Sequence, residues 1–162
     1  MPAKKKSARK PARKAARKAA RPKARPSRKQ PETLRLRAAT PGYTVNDIQR
    51  SVAWYQNVLG CILVERWEKD GELRGATLRA GTVEFYLGQD DWKLGRDRVK
   101  GAGFRIYCTT SQNVDTIAAG IKARGGTFLH DPQDEPWGER DFAIADPDGF
   151  KITISQVRRA QR

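Results

Sequence analysis

One order of elements occurs twice in this chain, and that repetition limits the fold more than any single motif. A strand-like run over residues 34–45 ends at Asn46-Asp47, a helix-start signal, and Ile48, Val52, Tyr55 and Leu59 then recur on one helical face. Gly60 is placed to close that helix. Three strand candidates follow at residues 61–68, 73–80 and 82–89, joined as tight hairpins through Lys69-Asp70-Gly71 and Ala80-Gly81. The order then returns. Residues 103–110 alternate as a strand, and Val114, Ile117, Ala118 and Ile121 form a second helical face that Gly125-Gly126 ends. Residues 127–130, 140–145 and 150–156 read as three more strands, with Asp146-Pro147-Asp148-Gly149 as the turn before the last. The expected fold is α+β: two tandem βαβββ modules whose sheets curve into a mixed sheet with a cleft, helices outside.

Charge divides the chain at a different place. The 162 residues carry 33 Lys and Arg against 18 Asp and Glu, a net +15. Residues 1–30 hold 14 of the bases and no acid, so the remainder is close to neutral. A four-residue unit recurs there, as in Ser7-Ala8-Arg9-Lys10 and Pro11-Ala12-Arg13-Lys14. With no apolar side chain larger than Ala between residues 4 and 29, this stretch cannot offset its ordering entropy. The expected organisation is a disordered basic tail over 1–33, a domain over 34–157, and a basic C-terminal end over 158–162. The domain divides into module one (34–89), a linker (90–101) and module two (102–157). Lys4, Lys5, Lys6, Arg9, Lys10, Arg13, Lys14, Arg17, Lys18 and Arg21 are candidates for non-specific nucleic-acid binding through phosphates. The tail has no aromatic residue for base stacking. Its Lys/Ala/Pro-rich repeat resembles the tails of linker histones and bacterial histone-like proteins.

Cys61 and Cys108 lie in apolar runs without a CxxC pair and read as buried free thiols. No run reaches membrane-spanning length, and no apolar stretch of a secretory signal follows the N-terminal charges. A cytoplasmic, nucleoid-associated protein is the expectation.

The segment from Thr44 to Gly60, TVNDIQRSVAWYQNVLG, resembles the first strand–helix signature of the vicinal oxygen chelate superfamily, the glyoxalase, bleomycin-resistance and extradiol dioxygenase group. Pro136-Trp137-Gly138-Glu139-Arg140-Asp141-Phe142 and Asp146-Pro147-Asp148-Gly149-Phe150-Lys151-Ile152 look like its closing signature, and the resemblance covers residues 35–156. It implies homodimerisation and a ligand cleft. In the family's enzymes it also implies a divalent metal held by His and Glu, one from each of four strands. Carried over position by position, those ligands fall on Thr40, on Glu84, on Phe104 or Arg105, of which the strand alternation favours Arg105, and on Thr153. Only Glu84 suits a cation, and a guanidinium repels one. No metal or other cofactor is therefore expected, and a titration with nickel, zinc or manganese should show no tight site in the cleft. His130, the only histidine, reads as a half-exposed strand-end residue.

In the expected strand phase the cleft carries Thr40, Gly42, Thr44, Glu84, Tyr86, Arg105, Tyr107, Lys151 and Thr153. Arg105 and Glu84 either pair with each other or act on a ligand. In the second case Arg105 and Lys151 hold an anionic or polar group while Tyr86 and Tyr107 pack the apolar part. Three functions stay open. The leading one is a metal-independent binding protein for a small amphipathic or anionic molecule. The second is a lyase or isomerase with Glu84 as base and Arg105 as anion stabiliser. The third is a nucleic-acid-associated protein with the domain as a dimerising head.

Overall fold

The computed structural model describes residue 34 and residues 36–157; the expected polyanion-binding tail, Lys4 to Arg21 included, and the basic C-terminal end lie outside the described residues. The first strand, β1 (Gly42–Val45), is shorter than the run of 34–45 suggested. Pro41 has no N–H to give to a ladder, although its carbonyl accepts the Tyr86 N–H at 3.0 Å. Helix α1 (Ile48–Trp54) starts where Asp47 accepts the Arg50 N–H at 3.0 Å. Its end widens into a π-turn, Tyr55–Leu59, which Gly60 stops at φ 88°.

Strands β2 (Ile62–Lys69), β3 (Glu72–Ala80) and β4 (Val83–Gln89) complete module one. Asp70 and Gly71 both have positive φ, as the two-residue hairpin turn requires. The second module repeats the order: β5 (Arg105–Thr110), α2 (Val114–Ala123), β6 (Phe128–Asp134), β7 (Glu139–Ala145) and β8 (Lys151–Val157). Each module forms one four-stranded mixed sheet, ordered β1-β4-β3-β2 and β5-β8-β7-β6, in which only the first pair is parallel. The tandem βαβββ expectation is borne out. Strand β6 runs past its expected end at residue 130, because register shifts between Phe128 and Gln133 carry Pro132 outside the regular ladder.

One core serves both modules. Tyr43 and Val45 of β1, Phe85 and Leu87 of β4, and Ile48, Val52 and Tyr55 of the first helical segment join Val114, Ala118 and Ile121 of α2 and Phe142, Ile144 and Ile152 of sheet two. At the seam the Tyr43 ring stacks on Phe150, centroids 4.4 Å apart, and meets the edge of Phe104 at 5.8 Å. The Asn46 N–H donates to Asp148 at 3.1 Å, and Arg124 Nε donates to the Val58 carbonyl at 3.0 Å. The modules thus meet through their helix-covered faces. The opposite face of each sheet turns away from the core and is open.

The linker is not merely solvated. The buried Asp90 carboxylate pairs with Arg98 and Lys100 and accepts the Trp92 N–H at 2.9 Å. These contacts tie the two ends of the linker to each other.

Candidate binding faces

On sheet one the open face is set by register. Gly42 lies beside Tyr86, Thr77 pairs with Tyr86 on the other side, Gly75 pairs with Gly88, and Trp67 pairs with Gly75. Side chains at paired positions share a face. Three glycines, one each from β1, β4 and β3, leave a bare strip, and the Tyr86 ring lies along it. A β-carbon on Gly42 or Gly88 would stand 3.6 Å from ring atoms of Tyr86, and one on Gly75 would stand 3.1 Å from its hydroxyl. Trp67 closes the strip from β2, its ring 5.5 Å from Tyr86 at 64°. Tyr86 is 42% exposed and Trp67 40%. The result is an aromatic shelf with Thr44 and Glu84 at its margins.

On sheet two, Arg105 pairs with Lys151 and Tyr107 with Thr153. The alternation expected for β5 holds: Ile106 and Cys108 turn inward, and Arg105, Tyr107 and Thr109 are exposed. The Arg105 guanidinium stands 6.0 Å from the Tyr107 ring centroid, at the limit of a cation–π contact. Lys151 is exposed, whereas Thr153 is buried and its hydroxyl has no hydrogen-bond partner. Farther along this face Asp141 is buried beside His130, with Glu135 near. Burial is the main cause that raises the Asp141 pKa above the usual carboxylate range, and Glu135 and Glu139 add to it.

The four positions that correspond to the superfamily's metal ligands do not fit a cation. Thr40 precedes β1 and is exposed, Glu84 sits on sheet one opposite Arg79, and Arg105 and Thr153 sit on sheet two. The set offers two neutral hydroxyls, one carboxylate and one positive charge. No ion pair joins Glu84 and Arg105 among the described residues; they lie on separate sheets.

The seam between modules carries its own chemistry. Tyr55 donates to Asp146 at 3.4 Å inside the core. The same carboxylate accepts the N–H groups of Asp148 at 3.0 Å and Phe150 at 2.8 Å. Burial lifts Asp146 to about 6 against those stabilising bonds. Burial likewise raises the phenols of Tyr43 and Tyr55 and pushes the Cys61 thiol up to about 12. Both cysteines are free, Cys61 buried and Cys108 half-buried. Burial thus disfavours the thiolate of both cysteines.

The family model of the Glyoxalase/Bleomycin resistance protein/Dioxygenase superfamily matches residues 37–154. The chain belongs to that superfamily. Its modules, its Asp47-capped helix and its Asp146-Pro147-Asp148-Gly149 turn occupy the places the resemblance gave them. A bleomycin resistance protein of Geobacillus stearothermophilus is 32% identical over 130 residues, 72% of this chain and 93% of the relative. The crystal structure of a superfamily member from Sphaerobacter thermophilus is similar at 25% identity and TM-score 0.60, covering 75% of this chain and 97% of that one. That of TioX from Micromonospora sp. ML1 shares the fold at 24% identity and TM-score 0.61, covering 74% and 97%.

Sequence reasoning set Thr44, Tyr86, Arg105, Tyr107 and Lys151 in one cleft, whereas they stand on the open faces of two separate sheets, and it missed two features. The first is the three-glycine strip, whose members are 13 or more residues apart and meet only through register. The second is the grouping of His130, Glu135 and Asp141, which a β-bulge in β6 creates. Among the described residues no helix is long and apolar enough to cross a membrane.

Proposed function

We propose that this superfamily member binds a small amphipathic molecule and uses no metal at the four positions equivalent to the family's ligands. The Tyr86 ring on its glycine strip, flanked by Trp67, carries the reading: it is a flat apolar surface on an open sheet face. Arg105 and Lys151 supply positive charge on the other open face for an anionic or polar group. The two open faces turn away from one shared core, so a cleft walled by both modules takes one module from each of two chains. A homodimer is therefore part of the proposal.

Bleomycin is the first probe, because relatives at 32% identity are bleomycin resistance proteins. Calorimetric titration of the dimer should give saturable binding that weakens at least about tenfold in Tyr86→Ala and in Arg105→Ala, a loss of about 1.4 kcal/mol each. Binding unchanged in both variants would sink the cleft reading. If bleomycin gives no heat, native mass spectrometry of protein from its own cells reports the subunit count and any retained molecule. A chain that is monomeric and empty there counts against the proposal.

The enzymatic alternative uses Glu84 as base and Arg105 as anion stabiliser. These residues lie on different open faces, so catalysis by both also needs two chains. Turnover lost in Glu84→Gln with ligand binding retained would favour it.

The tail supports a separate activity. Fourteen bases without an acid in residues 1–30 suit non-specific phosphate binding. Full-length protein should stay on a DNA duplex column at moderate salt, and a chain starting at Gln30 should not. Equal retention of the two refutes this part.

A further inference from the structure

We propose that His130, Glu135 and Asp141 bind one divalent first-row transition cation of the zinc or manganese class on the open face of sheet two. The site is distinct from the four positions discussed above, and it does not depend on the cleft ligand.

One donor atom from each of the three residues lies within 4.8 Å of the others. Donors on one tetrahedral cation at about 2.0–2.2 Å stand roughly 3.3–3.6 Å apart, so the side chains must draw together by about 1 Å or more to bind. The backbone explains why they converge. β6 pairs His130 with Ala143 and Gln133 with Asp141, three residues on one strand against two on the other. An earlier shift, between Phe128 and His130, sets His130 opposite Ala143 and so on the face that Asp141 shares, and the second shift at Pro132 follows it. Glu135 follows in the β6–β7 turn, where its N–H donates to the Glu139 carbonyl at 2.8 Å and its own carbonyl accepts the Gly138 N–H at 2.9 Å.

The hydrogen bonds around the cluster are those of oriented ligands. His130 Nδ1 lies 3.2 Å from the Asp131 carbonyl. A carbonyl only accepts, so Nδ1 is the donor of that contact, and Nε2 is the ring nitrogen that faces the cluster and is left for a cation. That Nε2 faces Asp141 Oδ1 at 3.6 Å, too far for a hydrogen bond. Gln133 Nε2 donates to Glu135 Oε1 at 2.7 Å and leaves the second carboxylate oxygen for the cation.

Asp141 supplies the independent observation. Its side chain is 4% exposed, and the buried Oδ1 has no hydrogen-bond partner. A buried carboxylate oxygen that accepts no hydrogen bond costs the fold stability. A cation between it and the imidazole lone pair satisfies both. One nitrogen and two carboxylate oxygens form a mixed donor set for zinc or manganese, with open positions left for water or a ligand atom.

The test uses untagged full-length protein stripped with a chelator. Titration with zinc chloride should show one saturable equivalent per chain, and cobalt(II) should give a visible ligand-field band at the same stoichiometry. Both signals should weaken at least tenfold in His130→Gln and in Asp141→Asn and persist in Glu84→Gln. His130 is on the surface side of the cluster, so its variant keeps the test informative if Asp141→Asn is poorly folded. No saturable equivalent, or one that survives both variants, overturns the site. An equivalent lost in Glu84→Gln places the metal at the family positions and overturns it too. Bleomycin binding by the Tyr86 shelf is scored separately and stands or falls without this result.

Discussion

The Tyr55 hydroxyl donates to the Asp146 carboxylate across the seam between the two modules, 91 positions apart in the chain. A helix of one repeat is thereby tied to the closing turn of the other, and the bond is buried. This pair ties the stability of the whole domain to the protonation of one carboxyl group.

Asp146 is raised from an ordinary value of 3.8 to about 6, chiefly by burial. Between those values the folded chain holds a proton that the unfolded chain has lost. Its contribution is therefore most favourable below 3.8, declines as pH rises to about 6, and is level above. The descending limb amounts to at most on the order of 3 kcal/mol. Asp146→Asn should flatten it in urea titrations between pH 4 and 7. Parallel profiles for the two proteins over that range would show the carboxyl titrates normally.

Asp90 acts in the opposite sense. Hydrogen bonds from Lys100 and the Trp92 backbone hold its carboxyl well below the usual range. The stability it gives is present above 3.8 and lost as pH falls through the lower folded value. Asp90→Ala leaves the almost fully covered Lys100 without its partner. It should lower the melting temperature by several degrees, whereas removal of the exposed Asp91 should barely move it. Equal melting temperatures for the two variants would refute the latch.

Gly75→Ala tests the aromatic shelf. The new methyl would stand 3.0 Å from the Trp67 ring and 3.1 Å from the Tyr86 hydroxyl, both half-exposed side chains with open space to shift into. The fold should survive with a loss of about 1 kcal/mol or less, while tryptophan fluorescence shifts and probe affinity falls several-fold. Unaltered emission and affinity would mean that the rings do not rest on the strip.

Gly101→Ala should be far more damaging. At φ +66° the added carbon would lie 2.2 Å from the Gly149 carbonyl oxygen, a backbone atom that cannot rotate away. A loss of about 2 kcal/mol or more is expected by chemical denaturation. A near-neutral result would show that the linker and the Asp146–Gly149 turn are not in contact.

Module order and strand phase were legible because they rest on local signals: Asp47 and Gly60 at the ends of the first helix, and alternation in Arg105 to Thr109. What escaped depends on contacts distant in sequence. Nothing local says that Tyr43 stacks on Phe150, so the covered faces that join the modules could not be told from the open ones that would wall a cleft. His130 was read as a strand end because Pro132 normally stops a ladder, yet the bulge carries β6 on to Asp134. Thr153, expected at the cleft surface, is on the right face but buried.

The widened turn at Tyr55–Leu59 holds one residue more than an α-turn over a similar rise. An accommodated extra residue is a removable one. A chain with one residue deleted between Tyr55 and Gly60 should still fold, by tightening the turn to ordinary helix, whereas an added residue there finds no slack. Shifting β2 by one residue instead would turn every side chain on that strand to the other face.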